Sequence, residues 1–314
     1  MINVYNRYSD YLKLRYGERV YKLPISIPVT CPNRINNNKG CLYCGEDGAG
    51  FENLSGTFSV FEQLNKNKEY IGKRYKANKF IAYFQSFTNT FLPIDDFQRY
   101  MNDVSEVSDI VEIAISTRPD CIDFRYLDIL NNIKLKKDIN ITIELGLQSV
   151  NYHTLKKINR GHTLAEYIDA VLNIKKYNFE ICTHIILNLP WDNINDVIEC
   201  SKILSILDID YVKLHALYIE KNTIMANQYQ NNEFEICSVD DYKERVIEFL
   251  RYLSPNIYLQ RIIGRAPKNN TLFSNWGMSW WKIHDDIINY MNSKNYRQGD
   301  FYNYRNGSAL KIFV

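Results

Sequence analysis

The residues with the most chemistry in this sequence are three thiols in one loop. Cys31, Cys41 and Cys44 fall within fourteen positions, in the stretch CPNRINNNKGCLYCGEDG (31–48). Their spacing is Cys-x9-Cys-x2-Cys. A CxxC pair can place two thiolates on one metal centre. A structural zinc site takes four protein ligands. Here a fourth would have to come from distant Cys121, Cys182, Cys200, Cys237 or a histidine, and none of these forms a second CxxC or HxxxH. A redox CxxC leaves Cys31 without a role. Three local thiolates suit a [4Fe–4S] cluster whose fourth iron has no protein ligand and stays open to a substrate or cofactor. On spacing alone, the open cluster and a zinc-stabilised loop both stand. Gly45, Gly48 and Gly50 allow tight turns behind the loop, and they are equally plain loop glycines.

The composition bounds the setting. The chain has 314 residues, 46% of them hydrophobic, which suits one large α/β domain or two modest ones. A net charge of +2 announces no global affinity for nucleic acid, and nothing points to DNA. No apolar run reaches the roughly 18 residues of a membrane span, and the N-terminal stretch lacks the apolar core of a signal peptide. The odd number of cysteines fits a reducing compartment. These features predict a cytoplasmic protein without a membrane partner.

The elements that must position the thiols read as alternating strands and helices. An apolar run from Val20 to Val29 delivers Cys31 at its C-terminal end. KFIAYF (79–84), IVEIAIS (110–116), INITIELGL (139–147), EICTHIILNL (180–189) and IDYVKLHAL (209–217) follow, each succeeded by a helix-like stretch. The runs read as continuous rather than alternating, as expected of strands buried on both faces. Repeated strand–helix units imply a parallel sheet with right-handed crossovers. Six units predict an α/β fold of the partial (β/α)6 TIM-type barrel kind with a C-terminal extension. Chemistry in such folds gathers at the C-terminal ends of the strands. The polar clusters fall there: Cys31-Pro-Asn-Arg, Gln85-Ser-Phe-Thr-Asn, Thr117-Arg-Pro-Asp, Gln148-Ser, Pro190-Trp-Asp and His215. From about residue 255 the rhythm changes. The expected division is a core over 1–223 and an α/β extension over 224–314 packed on the barrel.

Taken in order, CPNR…GCLYC, YFQSFTNT, STRPD, IELGLQS, NRGHT and HIILNLP resemble the motifs of radical S-adenosylmethionine enzymes. The nearest branch is the bacterial YhcC/YtqA-like family, itself similar to the radical domain of the elongator catalytic subunit. The likeness runs from about Tyr5 to Thr223 and more weakly beyond. It implies that Cys31, Cys41 and Cys44 hold a [4Fe–4S] cluster, that S-adenosylmethionine chelates the open iron, and that an electron donor of flavodoxin or ferredoxin type is needed. It places Gln148 near the methionine or ribose of the cofactor and Arg160 at its carboxylate, where a guanidinium fork suits the task. Ser86, Thr88 and Asn89 offer polar contacts at the end of the second strand, to the cofactor's amino group or to the substrate, and Glu144 is either a cofactor contact at the barrel rim or a buried structural acid. His184 falls where relatives can place a ribose-binding acid, but an imidazole does not reproduce a carboxylate's acceptor pair, and a satisfied core histidine is the better reading. Asn188 and Trp191 stand where the family usually has glycine.

For the substrate, Lys213 and His215 lie two apart on the sixth strand and share a face. They are candidates for substrate binding or proton transfer if that face is the barrel interior. Basic stretches at 66–79, 135–137, 156–160 and 260–265, with three tryptophans in NWGMSWWK (275–282), offer a surface for RNA or a merely solvated face. The resemblance implies modification of the wobble uridine of tRNA: removal of the carboxymethyl group from 5-carboxymethylaminomethyl-uridine to leave aminomethyl-uridine. Lys213 or Arg118 would then receive the substrate carboxylate. The chain also ends too soon after the radical domain for an acetyltransferase domain. Two alternatives are a radical enzyme acting on a small metabolite or peptide, and a metal-stabilised RNA-binding module without catalysis.

Overall fold

The fold is taken from a computed structural model of the chain that describes residues 3–36, 38, 40–45, 54, 57–265 and 270–313. Gly48 and Gly50 lie outside the described residues. The order of elements is α1 (Tyr8–Tyr16), β1 (Val20–Ile25), α2 (Val60–Tyr75), β2 (Lys79–Phe84), α3 (Ile94–Ser105), β3 (Ile110–Thr117), α4 (Phe124–Lys137), β4 (Asn140–Gln148), α5 (Tyr152–Lys157), α6 (Leu164–Lys175), β5 (Glu180–Ile186), α7 (Ile194–Ile206), β6 (Tyr211–His215), β7 (Ile219–Glu220), α8 (Ile224–Gln230), α9 (Val239–Tyr252), β8 (Tyr258–Arg261), β9 (Thr271–Phe273) and α10 (Trp280–Ser293). Helix starts are written locally. Ser59 with Glu62, Thr163 with Glu166, Asn193 with Asp196 and Ser238 with Asp241 form reciprocal capping boxes.

One sheet carries the architecture. Its order is β1-β2-β3-β4-β5-β6-β8, and all neighbouring pairs are parallel. The barrel therefore has a seventh strand beyond the six units expected, and it comes from the C-terminal segment. β8 is only four residues long and its run NIYLQR is half polar, so hydrophobic reading passes over it. The sheet curls into a partial barrel: β1 and β8 are its two edges, yet Lys22 Nζ on β1 donates to Gln260 Oε1 on β8 at 2.9 Å. α1 packs against both edges, and an isolated bridge joins Arg7 to Leu259.

The strands are buried on both faces as expected, but they are not uniformly apolar. β4 reads Asn140-Ile-Thr142-Ile-Glu144-Leu-Gly146-Leu-Gln148. Ile141, Ile143, Leu145 and Leu147 pack outward with helix residues such as Phe97, Leu127, Tyr167, Leu204 and Phe249 in the main core. The alternate residues face the barrel interior. Polar groups there need partners, because burial without a hydrogen bond is costly. At the N-terminal end of the barrel α1 supplies them. Tyr8 OH and Thr142 Oγ1 donate to Glu112 Oε1 at 3.3 and 2.8 Å, and Tyr11 OH donates to Glu180 Oε1 at 2.8 Å. The Tyr8 and Tyr211 rings meet edge-on at 4.7 Å. Burial raises the Glu112 carboxyl to about 7. This tyrosine-rich plug closes one end and leaves the other for chemistry.

Candidate functional site: a cavity at the C-terminal end of the barrel

Above the plug, the next interior layer is a charge network centred on Glu144, which is fully buried. Its Oε2 accepts from His184 Nε2 at 2.8 Å and Lys213 Nζ at 3.2 Å. Its Oε1 accepts from Lys22 Nζ and, at 3.1 Å, from Gln260 Nε2. Burial alone would raise this carboxyl, but the charges of Lys213 and Lys22 and the His184 hydrogen bond hold it well below the usual range. Lys213 also donates to Tyr83 OH at 2.8 Å. Burial is the main cause that brings the Lys213 ammonium down to about 8; Lys22 and Arg261 add to it against the pull of Glu144. Burial and then Lys213 bring His184 to about 4, so it is a neutral donor to Glu144. Glu144, Cys182 and His184 are close enough to suggest a metal site. The two ammonium groups on Glu144 already neutralise that carboxylate, so it has nothing left to offer a cation.

This layer forms the floor of a cavity of about 230 Å³. On one side stand Cys31, Cys41 and Cys44; on the other stand His184, Lys213, His215 and Arg261. Cys121 does not line it, nor do Cys182, Cys200 and Cys237. No fourth cysteine among the described residues lines the cavity.

The cysteine loop is fixed by donors that reach the sulfurs. Arg118 Nη1 lies 3.8 Å from Cys31 Sγ, Arg160 Nη1 lies 3.5 Å from Cys41 Sγ, and Asn33 Nδ2 lies 3.7 Å from Cys41 Sγ. Arg34 Nη2 donates to the carbonyls of Cys44, at 2.8 Å, and Gly45. Leu42 N donates to Ile158 O, and Met225 N to Leu42 O, both at 3.0 Å, which ties the loop to the end of α5 and to α8. Two glycines permit this packing. A Cβ at Gly146 would come 2.7 Å from Arg160 Nη2 and 2.8 Å from Gln148 Nε2. Gly161 has φ +80°, and a Cβ there would press on Asn33 and Arg118.

Several expected site residues converge here and others do not. Gln148, Arg160, Glu144, Arg118, Lys213 and His215 all line the cavity. Gln148 does so with φ 78°, next to a register shift between Gly146 and Gln148. A left-handed backbone at a non-glycine residue costs energy, and such positions cluster at functional sites. Lys213 and His215 face the interior, so the outer-face alternative falls. Arg160 is less available than its expected contact with a cofactor carboxylate requires: Nη2 and Nε donate to Gly146 O at 2.6 and 3.2 Å, and Nη1 faces Cys41. Arg118 lines the cavity with its guanidinium against Cys31. Its guanidinium pairs with both oxygens of Asp120 at 2.9 and 2.7 Å and with Arg160 O at 2.7 Å. Ser86 and Asn89 are buried beside the cavity without lining it. Asn89 Nδ2 donates to the carbonyls of Phe84, Ser86 and Ser116, tying the ends of β2 and β3 together. At the end of β2 the expected Thr88 does line the cavity, with Gln85 and Phe87. His184 is satisfied, as expected, yet it lines the cavity.

The sequence reading missed Lys22, Tyr83, Gln260, Gly264 and Arg261, and QRIIGR was read as a basic surface. Arg261 lies inside, with Nη2 2.7 Å from His215 Nδ1. Arg265 is exposed and lines the cavity too. The polar alternation of β4 was the available signal for a polar interior. Of the tryptophans, Trp276 donates to Cys237 O and packs on Tyr242 and Phe273, whereas Trp280 and Trp281 are exposed. Asn188 Oδ1 accepts from Leu217 N at 2.6 Å, and the Trp191 ring lies tilted against Phe234 at 5.5 Å. At both positions the side chain does structural work. No helix among the described residues is long and apolar enough to cross a membrane.

Comparison with known proteins agrees with this geometry. The Radical SAM superfamily matches residues 25–203, and the Radical_SAM C-terminal domain matches residues 209–293. The chain is 31% identical over 300 residues to the uncharacterized protein YtqA of Bacillus subtilis, covering 95% of this chain and 92% of that one. It is 28% identical over 289 residues to protein YhcC of Escherichia coli, covering 91% and 92%. Among solved structures it is similar to the Elp3 protein of the archaeon Methanocaldococcus infernus, with TM-score 0.67 and 18% identity over 89% of this chain and 64% of that one. Three cavity-lining thiols with cationic donors at their sulfurs fit an anionic iron–sulfur cluster and leave one iron without a protein ligand. The chain belongs to the radical SAM superfamily, whose enzymes use a [4Fe–4S] cluster and S-adenosylmethionine.

Proposed function

We propose that this enzyme acts on tRNA at the wobble uridine, taking 5-carboxymethylaminomethyl-uridine to aminomethyl-uridine. The observation that carries the reading is the far wall of the cavity. Lys213 and Arg261 line it, and of the two only Lys213, together with the deeper Lys22, pairs with the single carboxylate of Glu144. The site carries excess positive charge opposite the cysteines, which suits a substrate with a carboxylate. The fold shared with Elp3 and the likeness to YtqA and YhcC support the same branch.

In this reading Cys31, Cys41 and Cys44 hold the cluster, and Gln148 meets S-adenosylmethionine. When bound, the pair supplies reductive cleavage of the sulfonium to methionine and a 5′-deoxyadenosyl radical. The chain's own residues do the rest. Arg118, Arg160 and Asn33 hold the thiolates. The tyrosine plug and the Glu144 network close the floor to water. Lys213 has two of its three N–H groups on Tyr83 and Glu144 and one left for the substrate. His184 and His215 are neutral, so they give or accept hydrogen bonds without adding charge. A reductant of flavodoxin or ferredoxin type and a cytoplasmic setting belong to the same reading.

Nucleoside analysis of tRNA from a deletion strain tests it. Accumulation of carboxymethylaminomethyl-uridine at the expense of aminomethyl-uridine is the expected result. An unchanged profile overturns the tRNA reading in favour of a small-metabolite or peptide substrate.

A further inference from the structure

We propose that Arg261 and Lys213 form a two-point subsite for a carboxylate on the cavity wall opposite the cysteines, with His215 and Gly264 as its positioning residues. The inference rests on the reading of a carboxylate-bearing substrate and adds to it where that group binds. Lys213 and Arg261 are register partners across the β6–β8 pair, so their side chains leave neighbouring strands side by side. Both line the cavity. Among the described residues, no ion pair joins Arg261 to a carboxylate, whereas Lys22 and Lys213 both pair with Glu144.

Three observations mark the guanidinium as built in place. First, Nη2 lies 2.7 Å from His215 Nδ1. A guanidinium only donates, so His215 must offer a lone pair. Burial first, and then the neighbouring Arg261 charge, hold that imidazole well below its usual range and keep it neutral. Second, a Cβ at Gly264 would come 2.9 Å from Arg261 Cζ, 3.1 Å from Nε and 3.2 Å from Nη1. The backbone at 264 therefore lies against the guanidinium, and a residue with a side chain would push it aside. Third, Arg261 Nε is buried with no hydrogen-bond partner. A buried donor left unsatisfied is costly. One carboxylate can meet the guanidinium fork with two parallel hydrogen bonds. The free N–H of Lys213 supplies a second point of attachment.

Calorimetric titration of the reconstituted full-length protein with three probes tests this. They are the nucleoside 5-carboxymethylaminomethyl-uridine, its uncharged carboxamide, and N-methylglycine, which has the carboxylate without the uridine. The acid should bind about 10- to 100-fold more tightly than the amide, the range of a hydrogen bond to a charged group. Arg261→Met should remove the discrimination, and Gly264→Ala should reduce it. Equal binding of acid and amide by the wild-type protein overturns the subsite, and so does discrimination that survives in folded Arg261→Met. If Arg261→Met does not fold, the wild-type comparison and Gly264→Ala decide. Arg261-dependent binding of N-methylglycine with neither nucleoside bound keeps the subsite and removes the uridine reading. Binding of both nucleosides with equal strength keeps the uridine and overturns the subsite.

Discussion

The two walls of the cavity are assembled in different ways. The cysteine wall comes from one loop: Cys31, Cys41 and Cys44 lie within fourteen positions, and their spacing alone narrows the metal chemistry. The cationic wall comes from three strands, with His184 on β5, Lys213 and His215 on β6, and Arg261 on β8. Of these residues only His184, in HIILNLP, belongs to a local motif. In the proposed reading the cysteine wall takes a cofactor common to a superfamily, and a loop can carry that function on many barrels. The other wall is then the one that meets the substrate, and the curl of the sheet builds it.

The walls also treat charge differently. On the cysteine side, Arg118 and Arg160 already have acceptors, in Asp120, backbone carbonyls and the sulfurs. On the far side Arg261 keeps a buried donor without a partner. One side has its cationic donors satisfied, and the other keeps a donor that the proposed carboxylate would meet.

The largest expected effect comes from removing a ligand of the cysteine wall. Cys41→Ala should lose the cluster, with iron falling well below about four per chain and no 5′-deoxyadenosine formed on reduction. A variant that keeps both would refute the ligand assignment and erase the contrast between the walls. Zinc in place of iron in the wild-type protein would do the same.

Next is the cationic support of that wall. Arg160→Met should shift the cluster potential downward, because a donor to sulfur favours the more negative, reduced cluster. A charge-assisted hydrogen bond lost to a one-electron couple corresponds to roughly 60–130 mV. Redox titration followed by electron paramagnetic resonance reads this directly, and an unmoved potential would reduce Arg160 to packing.

The smallest effect concerns the far wall and pH. The Lys213 ammonium stands at about 8, below its ordinary value near 10.5. It is charged below that value and loses its proton as pH rises through it. Carboxylate binding should therefore be full near pH 7 and about tenfold weaker one unit above the Lys213 value. Glu144, Lys22, Tyr83, Cys182, His184 and Arg261 face this group. The carboxyl is held low, the imidazole is neutral, and burial raises the Tyr83 phenol and the Cys182 thiol well above their ordinary values, so Lys213 sets the slope. Flat binding from pH 7 to 9.5 would exclude Lys213 as the anion's partner and leave Arg261 alone.

Legibility followed locality. The cysteine spacing, the alternation of strands and helices, and the capping residues at Ser59, Thr163, Asn193 and Ser238 are short-range features, and each was readable. Gln148 and Arg160 were found because they sit in compact motifs at strand and helix ends. Arg118 was found as well, but its side chain turned out to face Cys31 because Asp120, two residues on, fixes it there. Asn89 looked like a cofactor contact because polar residues at strand ends usually are. Here its amide ties together carbonyls that the sheet leaves unpaired at that rim. β8 escaped notice because four residues with two polar side chains give little periodicity.

By itself the sequence determined that three thiols share one loop, the strand–helix alternation that makes a parallel sheet, and the end of that sheet where polar groups gather. Those depend on spacing, on periodicity and on side-chain type, which are properties of neighbours in the chain. The tertiary structure decided which polar residues of each strand share the interior, that Lys22 and Gln260 meet across the open edges, and that Arg261 turns inward over Gly264 beside His215. Apart from Arg261 and Gly264, which are near neighbours, these contacts join residues dozens to hundreds of positions apart. Only the curl of the sheet, set by strand twist and closed by the N-terminal helix, brings them within hydrogen-bond reach.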